Sequence, residues 1–109
     1  MNIEVKDHII IFNIKPLTTD FEEKLITLWT SYQDKNIILN LSNLNSTETS
    51  KINLLKKVSN QHKENDKSFV IVSKFIVDEA EELDIVPTQQ EALDYIEMED
   101  IQRDLDIDL

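Results

Sequence analysis

The sequence predicts an α/β fold in a single domain spanning residues 1–109: a mixed, largely parallel sheet flanked by helices and opened by a β-hairpin. Three observations predict it. Short runs of β-branched and other apolar residues alternate along the chain with segments whose apolar residues recur at helical spacing. Two capping boxes, Thr19 with Glu22 and Thr88 with Glu91, mark helix starts. No internal repeat and no linker long enough to separate domains interrupts the pattern.

The elements follow in order. Ile3, Glu4, Val5 and Lys6 alternate with period two, Asp7 and His8 supply a turn, and residues 8–14 return as the second strand of a hairpin. Pro16 lacks a ladder donor and helps end that strand. Behind the Thr19 cap, Phe21, Leu25, Leu28, Trp29 and Tyr32 lie on one face of a helix reaching about Gln33. Two aromatics there suggest a ligand platform or, at helical spacing, a core face. Residues 36–41 (Asn-Ile-Ile-Leu-Asn-Leu) read as a strand covered on both sides. A Ser- and Asn-rich loop follows, and from Thr47 the stripe Ile52, Leu55, Val58, Ser59, His62 marks a second helix. Residues 68–73 form another buried strand, 77–83 a short acidic helix and 84–86 a last strand stopped by Pro87. The Thr88 box opens a long acidic helix over about 88–107.

Composition excludes more than it assigns. Of 109 residues 40% are hydrophobic, enough for a packed core. The net charge of -11 repels nucleic-acid backbones and anionic membranes, so neither is expected as a direct partner. No run of apolar residues approaches the roughly 18 of a membrane helix, and no signal-peptide pattern opens the chain, which predicts a cytoplasmic protein. Without Cys there is no thiolate metal site, disulfide or cysteine nucleophile. Without Gly there is no phosphate-cradling loop or nucleophile elbow.

The charge is uneven: residues 78–109 hold thirteen acidic groups and one basic residue, Arg103. This tail reads as a solvated helical face, as a docking surface for a basic partner, or as a segment folding back onto Lys51, Lys56, Lys57, Lys63 and Lys67. His8 and His62 lack the spacing of a zinc helix, and His62 reads as a partly packed residue. Asp78, Glu79, Glu81, Glu82 and Asp84 lack the spacing of a calcium loop. Carboxylate pairs such as Glu99 and Asp100 carry no sign of a pocket. The expectation is a protein that is not an enzyme and has no metal and no cofactor.

Residues 36–44 (Asn-Ile-Ile-Leu-Asn-Leu-Ser-Asn-Leu), followed by a Ser/Thr-containing helix start, resemble the STAS domain, the fold of anti-sigma-factor antagonists. The opening hairpin, the Phe-Val-Ile-Val strand at 69–72 and Val86-Pro87-Thr88 leading into Glu91-Ala92-Leu93 extend the resemblance over nearly the whole chain. In that family the strand leads to Asp-Ser-Ser-Gly-Leu at a helix start, and the first Ser is phosphorylated by a partner kinase. A gapless register sets Glu48, Thr49, Ser50, Lys51 and Ile52 on those positions. The resemblance thus implies Thr49 as phosphoacceptor, with Glu48 and Ser50 as its neighbours. Lys51 stands where the family has Gly, and Thr49 where it has Ser. If unphosphorylated, Thr49 and Ser50 cap and solvate a helix N-terminus.

The run from Val86-Pro87-Thr88 to Arg103-Asp104-Leu105 also looks like short STAS-like proteins encoded beside ribonuclease Z, although the chain lacks that nuclease's His-x-His-x-Asp-His motif. Three functions follow as expectations: a non-enzymatic STAS-like module that binds a protein partner, a phospho-switch acting on an anti-sigma kinase, or a companion of a ribonuclease Z-type enzyme. The partner-binding residues expected are Asn43, Asn45, Lys51, Asn53 and Lys56, with Met98, Ile101 and Leu105 on the last helix. The last three recur at steps of three and four, out of phase with Leu93 and Ile96. That second stripe faces a partner or a second copy of the chain (a homodimer), or else a kinked or frayed tail lays it over the sheet edge.

Overall fold

Strand β1 (Asn2–Lys6) turns back through Asp7 and His8 into β2 (Ile9–Asn13), and the two pair antiparallel with Lys6 opposite Ile9. A computed structural model of the chain describes residues 2–13, 21–42, 49–74 and 82–107. The tight turn needs a left-handed residue, and in a chain without Gly it is Asp7, at φ 53°, that takes it. Asp66, at φ 61°, does the same beyond the second helix. Asp tolerates this region better than most residues because its short side chain can bond locally.

Helix α1 (Phe21–Ser31) leads to β3 (Asn36–Asn40), α2 (Thr49–Glu64) to β4 (Phe69–Val72), and β5 (Asp84–Val86) to α3 (Gln89–Ile107). The five strands lie in sequence order, with β2 through β5 parallel. The fold is therefore α/β with a mixed, mainly parallel sheet, as the alternation of elements predicts. The Thr19 capping box, Pro16 and most of the helix expected at 77–83 lie outside the described residues. At the start of α3 the Thr88 hydroxyl accepts from the Glu91 amide at 3.2 Å, which is the cap the sequence predicts.

The core is two layers, and the strand residues alternate between them. Ile10, Phe12, Ile37, Leu39, Phe69 and Ile71 point to one face, where Leu25 of α1 and Leu55 and Val58 of α2 cover them. Ile11, Ile38, Val70 and Val72 point to the other, against Ala92 and Ile96 of α3. Near-continuous apolar strands are the consequence, since both faces of a parallel sheet must be dry. Parallel strands laid down in order by right-handed crossovers put their connecting helices on one face, so the helix after the last strand is left to close the other.

His62 is a correction of degree. It is fully buried rather than partly packed. Its Nε2 donates to the Lys35 carbonyl at 2.6 Å, and its Nδ1 accepts from the Trp29 indole at 3.0 Å. Both ring nitrogens are thereby satisfied in the neutral form, and burial pushes the imidazole pKa down. Trp29, partly buried against the core, holds this histidine.

Candidate functional site

Helix α3 runs back over the sheet from the end of β5, and its two halves meet different surroundings. Ala92 and Ile96 bury against β3 and β4. The second half carries Asp100 and Arg103 to residues that open strands or precede them: His8 before β2, Asn36 at the start of β3, and Ser68 before β4.

Asn36 is buried and central. Its Oδ1 accepts from the Ser68 amide at 2.9 Å and from Arg103 Nη2 at 3.4 Å, and its Nδ2 lies 3.4 Å from both Asp100 carboxylate oxygens. Arg103 Nη2 also donates to the Ser68 hydroxyl at 3.2 Å and to Asp100 Oδ1. His8 Nε2 lies 2.6 Å from Asp100 Oδ2. Burial alone would raise the Asp100 pKa, but hydrogen bonds from Arg103 and His8, with their charges, hold it below the usual carboxylate range. A carboxylate held ionised in this way anchors its neighbours and is a poor proton donor. At β5 the Tyr95 hydroxyl, its pKa pushed up by burial and by its hydrogen bond to Asp84, stays protonated; Asp84 also pairs with Lys63 at 2.8 Å.

On the outer side of α3 the geometry reverses. Met98, Ile101 and Leu105 are 66%, 54% and 61% exposed. At roughly 100° per residue they point about opposite to Ala92 and Ile96. The helix is continuous from Gln89 to Ile107, and the three side chains stand in solvent rather than over the sheet edge. Alongside it runs an open groove of about 430 Å³ between α3 and the start of β2, floored by Ile9, Leu93, Ile96 and Ile101. Glu97, Asp100 and Asp104 stand along it.

The other expected residues lie elsewhere. Thr49 and Ser50 are the first two residues of α2, and Lys51, Asn53 and Lys56 follow on the same helix. Asn53 is exposed, and Lys56 Nζ lies 3.7 Å from Glu82. Asn43, Asn45 and Glu48 lie outside the described residues. Since α2 and α3 cover opposite faces of the sheet, the α2 and α3 residues form two separate surfaces. What sequence reasoning missed is the His8–Asn36–Ser68–Asp100–Arg103 cluster. Its one visible signal was Arg103, the single basic residue among thirteen acidic ones in the last third.

Among the described residues no group of three or more His, Asp or Glu is placed to hold a metal ion, and no helix is long and apolar enough to cross a membrane. No model of a known protein family matches the chain, and no curated protein matches it.

Proposed function

We propose that the chain is a non-enzymatic, STAS-like protein-interaction module that acts in the cytoplasm by binding a protein partner. The observation that carries this reading is the outer face of α3, where three large apolar side chains stay exposed on a helix whose opposite face buries Ala92 and Ile96 against the sheet. Single exposed apolar residues are ordinary, but three in register on one helical face, beside an apolar groove, suit a contact surface. The opening hairpin and a helix that starts at Thr49 after β3 support the STAS-like part. Affinity purification from the native cell tests it, comparing the chain with its Ile101→Ser, Leu105→Ser double variant. A protein captured by the first and lost from the second is the expected result; the same set of proteins from both contradicts the reading. A ribonuclease Z-type hydrolase in the lost fraction would favour the companion role.

A second reading has its own support. Thr49 is the first residue of α2, and no acidic residue stands in that helix's first turn. A phosphate there would meet unpaired amides and the positive end of the helix dipole, adding about -1.5 to -2 charges. The module would then be a phospho-switch for an anti-sigma kinase. Intact-mass measurement of the native protein should show a one-phosphate species that Thr49→Ala removes. An unmodified mass in every growth condition would refute this switch.

A further inference from the structure

We infer that the groove between α3 and the start of β2, together with the stripe beside it, receives a basic amphipathic helix of a partner protein. The inference rests on the interaction-module reading and adds the chemistry of the partner.

Shape and polarity come first. The groove floor is apolar, and Ile101 belongs both to that floor and to the exposed stripe, so groove and stripe form one surface. From Leu93 to Leu105 it extends about 18 Å along the helix axis. That length matches three or more turns of a docked helix, and a helix lying in an apolar groove buries a stripe of the same period.

Charge then selects among occupants. Helix α3 holds seven carboxylates and one cation, Arg103. Arg103 is bonded to Asp100, Asn36 and Ser68, so of the three carboxylates along the groove it offsets Asp100 and forms no ion pair with Glu97 or Asp104. Glu97 and Asp104 have no ion-pair partner among the described residues, and both are exposed. A second copy docked through the same face would set this acidic helix against itself, and like charges across an interface are strongly unfavourable. A nucleic acid or an anionic membrane fails for the same reason. A Lys- and Arg-flanked apolar stripe succeeds on both counts.

The spacing sharpens the partner further. Glu97 and Asp104 are seven residues apart, two turns or about 10 Å, with Ile101 between them. Their counterpart is a helix with basic residues two turns apart bracketing an apolar residue.

The test uses the full chain and a fluorescently labelled peptide of about five helical turns, with Leu at helical period and Lys on both flanks. Two controls accompany it: a scrambled peptide of the same composition, and a version with Glu in place of Lys. Anisotropy titrations at low and moderate salt should show binding of the first peptide that weakens with salt. The scrambled peptide should bind at least about tenfold more weakly, and the Glu peptide not at all. Ile101→Ser, and separately Glu97→Lys with Asp104→Lys, should each weaken the first peptide about tenfold while the thermal midpoint holds. Equal binding of the scrambled peptide, no binding of the first, or indifference to both variants would overturn the inference. Sedimentation of the chain alone separates this failure from that of the parent reading. Self-association lost in Ile101→Ser would give the surface to a second copy, ending the basic-helix inference while keeping the interaction module. Failure of both the peptide and the native-cell comparison would end both.

Discussion

The first half of α3 is held by apolar contact and the second by polar contact. Over Gln89–Ile96 the helix lies on the sheet, and Ala92 and Ile96 have dry strands beneath them. Beyond Ile96 it reaches the residues that begin or precede the strands. There Asp100 and Arg103 take over, bonded to Asn36, Ser68 and His8. The comparison teaches how a helix can stay fixed past the edge of its apolar support while leaving its outer apolar residues uncommitted. The same polar contacts that hold the second half also engage its only cation, which forms no ion pair with Glu97 or Asp104.

The largest expected effect comes from the first half. Ile96→Ala should cost about 2–5 kcal/mol of unfolding free energy in urea titrations, because a fully buried side chain leaves a cavity. The matched change Ile101→Ala should stay within about 0.5 kcal/mol. Comparable losses at the two positions would abolish the distinction between the halves.

The polar anchor should rank next. Asn36→Ala removes the acceptor of the buried Ser68 amide and should cost about 1–3 kcal/mol. Arg103→Ala should act more locally. Amide exchange should accelerate over 97–107 and stay slow over 92–96. Uniform acceleration along the helix would mean that the halves are not held separately.

Acid probes the anchor against the core. His62 is buried in its neutral form with a lowered pKa, so the unfolded chain takes up its proton first. Stability should therefore be level above about pH 6.5 and fall as the pH drops from there towards the lower folded value. Asp100 has the opposite chemistry and a later window. Its lowered pKa gives a contribution complete above about pH 3.9 and lost as the pH falls through the folded value. At pH 5, urea midpoints should already be reduced while exchange over 97–107, relative to the rest of the chain, is unchanged. A selective loosening of those residues at pH 5 would contradict the anchor.

Much of this was legible in the sequence, and the division has a physical reason. Apolar runs such as residues 37–39 and 69–72 show sheet strands because burial on both faces leaves no other pattern. Thr88 shows a helix start because a cap is a local hydrogen bond, three residues long. The change of phase between Ile96 and Ile101 is visible because helical period is local too. The cluster around Asn36 is not, since it joins residues as far apart as His8 and Asp100, 92 positions along the chain. Nothing in the local pattern marks Asn36 as buried, as its amide looks like one more polar residue at a strand end. His62 escaped for a related reason. Its full burial depends on Trp29, 33 residues away, donating to one ring nitrogen.

The most direct test of the account is the thermal midpoint of the Ile101→Ser, Leu105→Ser double variant against the parent chain. Both side chains are more than half exposed and lie opposite the packed face. The midpoint should move by no more than about 4–8 °C, the summed shift of two surface substitutions in a chain of this size. A fall of more than about 10 °C would show that the stripe belongs to the core, and the outer face of α3 would then be no docking surface.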